Sequence, residues 1–265
     1  MDEKKKKFVQ ENSDYDYNDS SIGEIERRPH DIRIGSLNLA VIWFLEAEVE
    51  QDIRILTPTP PRITRELNAA KSIWRTSDGA RKVEINMIYS NYNDSNQIYT
   101  EKLDEKVIEE IVKIGKGYYK RADAYVFYLP GNLIMDTQKV GLALDRIIDN
   151  EHTYIVIMSN GARARVEPTG EKKGNDYVLA HELGHILYCT NYYGWKQDPK
   201  PNDDTLKGNG KPDIGHHDDD TEEERRNLMA PNSLGPGVIP TINEDQLIRA
   251  LQSRFCLPWN PGPRN

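Results

Sequence analysis

Cysteine is nearly absent: the 265 residues contain two, Cys189 and Cys256. Two cysteines exclude a disulfide-stapled scaffold: at most they make one bridge, and without an export signal free thiols are the favoured reading. An excess of positive charge is missing too. Lys and Arg number 35 against 43 Asp and Glu, a formal charge of −8, so no basic face stands ready to displace counterions from phosphates and nucleic-acid binding is not expected. Long apolar runs are also lacking. Even residues 37–45 fall far short of the roughly 18–20 residues a membrane span requires, so none is expected. No apolar stretch of signal-peptide length follows Lys4 to Lys7. The expected location is therefore the cytoplasm, with export by a non-Sec route as a secreted effector the alternative.

Apolar content is lean. The hydrophobic set is 37% and the 18 glycines bring it to roughly 44%, just under ordinary globular chains, so part of the length is expected to be tail or polar insert. Residues 1–34 are polar, with scattered aromatics and no period, and read as a flexible N-terminal tail. From Ser36 the β-branched and aromatic run through Trp43 and Phe44 predicts a buried strand. Ile63, Leu67, Ala70 and Trp74 predict a helix over 61–76 behind a proline-rich breaker. A strand over 82–90, a helix over 103–114, buried strands at 124–129 and 154–158, and a short edge strand at 140–144 complete the first part. A long helix is expected from Tyr177 to about Gly194. Residues 196–226 read as an irregular insert without packed elements. A last helix starts near Thr241 or Asn243 and carries Leu247, Ile248, Leu251 and Phe255.

The strongest chemical signal is His181-Glu182-Leu183-Gly184-His185. Four residues is just over one helical turn, so both imidazoles project from one face and can grip a single cation. Zinc is the expected metal, with Glu182 placed as general base toward a water that the cation acidifies. A chance match in a chain this size occurs roughly once in a hundred, before helical context is required. Here Val178, Leu179, Leu183, Ile186 and Leu187 supply that context as a buried flank.

Zinc sites of this kind use three protein ligands, so one is still to be found. A direct continuation of the motif would place Gly at 188 and His at 191, but the chain has Tyr188 and Asn191. His216 and His217 lie in the insert, shortly before Asn227-Leu228-Met229-Ala230-Pro231, and Glu222, Glu223 or Glu224 are a third source. The paired histidines of the helix, a late histidine and N-L-M-x-P together resemble the zinc helix and Met-turn of the metzincin metallopeptidases. Gly184 and the Met-Ala-Pro ending look like matrixins and reprolysins, while a long insert before the third His is similar to the leishmanolysin branch. The His217-Asp218 step resembles reprolysins and favours His217; Gly215-His216 with Asp219 resembles bacterial matrixin-like spacing and keeps His216 as the alternative.

The resemblance implies an α+β, zincin-like fold over residues 36–257: a mixed twisted sheet with packed helices (35–194) above a small irregular C-terminal subdomain (195–265). It implies a zinc endopeptidase, acting as a monomer on protein or peptide substrates, with His181, His185 and His217 or His216 as metal ligands, Glu182 as catalytic base and Met229 beneath the site. It also implies that the edge strand, here residues 141–146, binds extended peptide, and that residues 233–240 wall a substrate pocket. Alternatives are a catalytically silent zinc-scaffold binding protein and a zinc hydrolase of non-protein amides. Oxygen-rich residues 203–213 offer a weaker calcium candidate. His30 and His152 are read as surface or core histidines.

Overall fold

The computed structural model describes residues 33–49, 59–93, 98–135, 137, 139–166, 170, 172–190, 198, 201–206, 212–217, 221–230 and 238–256; for 165–166, 172–173, 201–206 and 212–215 the backbone alone is described. The expected N-terminal tail lies outside these residues up to position 32.

Five strands form the main sheet: β1 (Ile34–Phe44), β2 (Lys82–Asn93), β3 (Ala124–Tyr128), β4 (Gly141–Ile148) and β5 (Glu151–Met158). Their order is β2-β1-β3-β5-β4. The first four in that order run parallel, and β4 closes one edge antiparallel to β5. β1 reads as a continuous apolar run because both of its faces are covered. Leu37, Leu39, Val41 and Trp43 enter one core, while Ala40, Ile42 and Phe44 enter the other.

On the second face lies α2 (Glu105–Tyr118), capped by the Asp104 side chain on the Val107 N–H. It approaches the sheet so closely at Gly115 that a Cβ there would stand 2.9 Å from the Phe127 ring. The first face is covered by α1 (Pro61–Ile73), α3 (Val178–Cys189) and α4 (Glu244–Leu251). Each fully buried Leu, Ile or Val of α3 contributes about 1.5–3 kcal/mol of apolar transfer. Leu228, Met229, Leu247 and Leu251 share the core of α3, so residues beyond 195 rest on the same apolar cluster as the sheet.

Three expectations need correction. The edge strand is longer than 140–144, because β4 and β5 form a tight hairpin whose turn, Asp149-Asn150, takes left-handed backbone at both positions (φ 54° and 63°). That is the geometry a two-residue hairpin demands, and Asp and Asn tolerate it. Helix α3 ends at Cys189 rather than near Gly194. Thr190 turns its hydroxyl back to the Ile186 carbonyl (2.8 Å) and gives its own carbonyl to the Arg254 N–H (2.9 Å). The insert does hold paired structure: β8 (Pro201–Leu206) and β9 (Pro212–His217) form an antiparallel pair with register irregularities. Its pairing is carried by backbone, which leaves no hydrophobic period to read. A shorter pair, β6 (Arg165–Val166) with β7 (Lys172–Lys173), precedes α3. No described helix is long and apolar enough to cross a membrane.

Candidate metal centre

Helix α3 presents His181 and His185 one turn apart, with ring centroids 4.8 Å apart and Nε2 atoms 3.2 Å apart. The ring of His216, at the end of β9, stands 5.3 Å from that of His181 and 4.8 Å from that of His185. The ligand-capable nitrogens of all three lie within 4.8 Å of one another. Nitrogens that bind one tetrahedral zinc at about 2.0–2.1 Å stand about 3.3–3.4 Å apart, so the helical pair is already at the spacing a shared cation sets.

The tautomer of His181 follows from its partner. Nδ1 lies 2.6 Å from the carbonyl oxygen of Leu228; a carbonyl only accepts, so Nδ1 carries the proton and Nε2 offers its lone pair toward His185. Three imidazoles with one nitrogen fixed in this way are a donor set suited to zinc.

Glu182 is buried beside the histidines. Burial pushes its carboxyl up to about 7, against the pull of Lys139 and of the backbone N–H of Ala143. A proton affinity near neutrality suits a group that must take up and release a proton. The edge strand is shaped around this side chain: a Cβ on Gly141 would sit 2.6 Å from Glu182 Oε1.

Met229 is fully buried beneath α3. A Cβ at Gly184 would lie 2.4 Å from its sulfur and 2.8 Å from Trp74, so glycine is the residue that lets helix and turn meet. Asn227 Oδ1 accepts from the Met229 N–H at 2.9 Å and folds the turn. Carbonyls on either side of this turn then reach the histidines: Leu228 to His181, and Met229 to the His217 N–H at 2.8 Å.

His217, the favoured third ligand on sequence, is not in the triad. Its side chain is buried against Asp198, with Nδ1 2.6 Å from Oδ1. The two histidines are adjacent on a strand, and successive strand side chains point to opposite faces, so only one can face α3. It is His216 that does. Glu222 and Glu224 are engaged locally with Arg226 and Thr221, and Glu223 is exposed; none joins the histidines. His152 pairs with Asp145 at the β4–β5 edge, 3.1 Å away. Pro231, residues 233–237 of the expected pocket wall, the side chains of the calcium candidate, and His30 lie outside the described residues. Asp198, Gln246, Tyr188 and the backbone of Ala143 were not legible as site residues. Asp198 stands alone in a segment without periodicity, and a backbone N–H has no sequence signature.

Neither a protein-family model nor a curated protein matches the chain. Among solved structures, one described as "Structure of a chaperone-substrate complex" aligns at TM-score 0.41 and 12% identity, covering 83% of this chain and 35% of that one.

Proposed function

We infer that the protein is a zinc-dependent endopeptidase of metzincin-like architecture. The observation that carries this reading is the convergence of His181, His185 and His216 beside the buried carboxylate of Glu182. The sheet order with its antiparallel edge strand, the helix bearing the histidine pair and Met229 packed under Gly184 support it.

His181, His185 and His216 would hold the metal, which when bound supplies Lewis acidity toward a water and a substrate carbonyl. The Glu182 carboxylate would accept a proton from the attacking water and later deliver it to the nitrogen of the leaving amine. Burial keeps bulk water from competing for this proton. Among the described residues β4 pairs with β5 alone, so the backbone groups of its other edge, apart from the Ala143 N–H that Glu182 holds, would be open to an extended peptide, a mode that grips main chain before side chain. Met229, packed under Gly184, would brace the helix that carries two of the metal ligands without touching substrate.

Glu182→Gln tests the assignment. Cleavage of a denatured protein substrate is expected to fall by about 10²–10⁴-fold, with zinc content retained by elemental analysis. A wild type that holds zinc and cleaves neither protein nor a peptide library would replace the peptidase with a zinc-scaffold binder. Cleavage unaffected by the substitution would remove Glu182 from the chemistry.

A further inference from the structure

Behind the histidine cluster, between the C-terminal end of α3 and the Met229 turn, lies a polar network closed off from solvent. Its centre is the Asp198 carboxylate, 0% exposed. Oδ1 faces His217 Nδ1 at 2.6 Å; a carboxylate only accepts, so Nδ1 donates. Oδ2 accepts from Gln246 Nε2 at 2.6 Å and from the Tyr188 hydroxyl at 3.3 Å. Gln246 exchanges two 2.9 Å hydrogen bonds with Asn227, whose Oδ1 also holds the Met229 N–H. Met229 in turn accepts from the backbone of His217. The circuit thus joins α3, α4, the Met229 turn and the end of β9.

A buried carboxylate is stable only where donors replace its hydration, and three donors among the described residues reach this one. The three donors come from three separate elements, which fixes the place of His217 in both side chain and backbone. With His217 held on one side of the strand, His216 has the other side left to it, and that side faces His181 and His185.

We propose that the Asp198–His217 pair is a positioning device for the third imidazole: it selects His216 over its neighbour and holds it ready for the metal. This rests on the zinc reading above and extends it to residues that do not touch the ion. In this chain Tyr188 stands where the extended motif would have glycine, and its hydroxyl helps to hold the carboxylate that orients the late histidine.

The test uses the full-length protein, with zinc affinity measured by chelator competition, the cobalt(II) visible spectrum as a readout of ligand number and geometry, and denaturant unfolding of each metal-free variant. Asp198→Asn and His217→Ala are expected to bind zinc about 10- to 100-fold more weakly and to show a weakened, shifted cobalt band. His217→Asn places an amide N–H near the former Nδ1 and is expected to recover affinity toward wild type. Affinity and spectrum unchanged in folded Asp198→Asn and His217→Ala would overturn the proposal while leaving the zinc site standing. So would a His217→Asn variant as weak as His217→Ala. If Asp198→Asn does not fold, the contrast between the two His217 variants decides alone. A wild type that binds no zinc removes the underlying reading and the proposal with it.

Discussion

Two glutamates are buried on adjacent helices of the same core, Glu66 on α1 and Glu182 on α3, and they are treated in opposite ways. Glu66 Oε1 accepts from Arg62 at 2.7 Å and Oε2 from the Tyr128 hydroxyl at 2.8 Å. Arg62, itself fully buried, spends its remaining donors on the carbonyls of Glu48 and Ser159. Every polar atom is answered within the protein, and the network ties α1 to the ends of β3 and β5. Among the described residues Glu182 has a backbone N–H and the charge of Lys139, and no side-chain hydrogen-bond donor. A buried carboxylate that is fully paired belongs to the architecture; one left short of partners beside ligand-capable histidines is available for chemistry.

The largest effect should come from neutralising each in turn. Glu66→Gln strips the counter-charge from a buried guanidinium, and breaking such a pair costs about 3–5 kcal/mol. Glu182→Gln removes a carboxylate whose charged form is penalised by burial and keeps an acceptor for the Ala143 N–H. Metal-free stability should therefore hold or rise. Urea unfolding of the two variants checks this; a Glu182→Gln protein as destabilised as Glu66→Gln would make both residues architectural and erase the contrast.

The same contrast separates what could be read from the sequence from what could not. The histidine pair was legible because four-residue spacing on a helix is a local property, and β1, β3 and β5 were legible because strands covered on both faces must be apolar throughout. The choice between His216 and His217 was not. It is made by strand alternation in a segment with no hydrophobic period, and by Asp198, whose role depends on Gln246 and Tyr188 brought from α4 and α3. The resemblance of the His-Asp step pointed to His217, and tertiary pairing reversed it. The length of β4 was hidden for a related reason: Asp145 and Arg146 on an edge strand break the apolar run without breaking the pairing. Arg62 and Glu66 lie between the apolar positions that marked the first helix, and nothing in that spacing shows that both are fully buried.

A second way to sharpen the comparison is to move the Glu182 carboxylate without changing its charge. A methyl group at Gly141 would stand 2.6 Å from Oε1 and 2.8 Å from Val178. The carboxylate, being the end of a flexible chain, gives way first. Gly141→Ala is expected to lower kcat about 100-fold, as misplacement by about 1 Å does, with zinc content unchanged and only a small loss of stability. Full activity in this variant would show that the base tolerates displacement and that its close fit against the edge strand is incidental.

The smallest effect tests whether burial alone, away from the histidine cluster, produces the same reluctance to ionise. Cys256 is buried against Gly35, and burial, followed by the charge of Asp123, pushes its thiol up to about 12 from 9.0. At neutral pH the thiol is protonated in both folded and unfolded chains and contributes nothing to pH dependence. Between about 9 and 12 the unfolded chain gives up this proton while the folded chain keeps it, so stability falls as pH rises through that window. The slope from one such proton is at most about 1.4 kcal/mol per pH unit. Tyr125 and Tyr154, each also pushed up to about 12 by burial, add to the same decline. Cys256→Ala should therefore make the decline shallower by up to one proton without abolishing it, as measured by unfolding free energies from pH 8 to 11. Equal slopes in the two proteins would mean that the thiol ionises freely in place, and that burial by itself does not set the proton affinity of groups in this core.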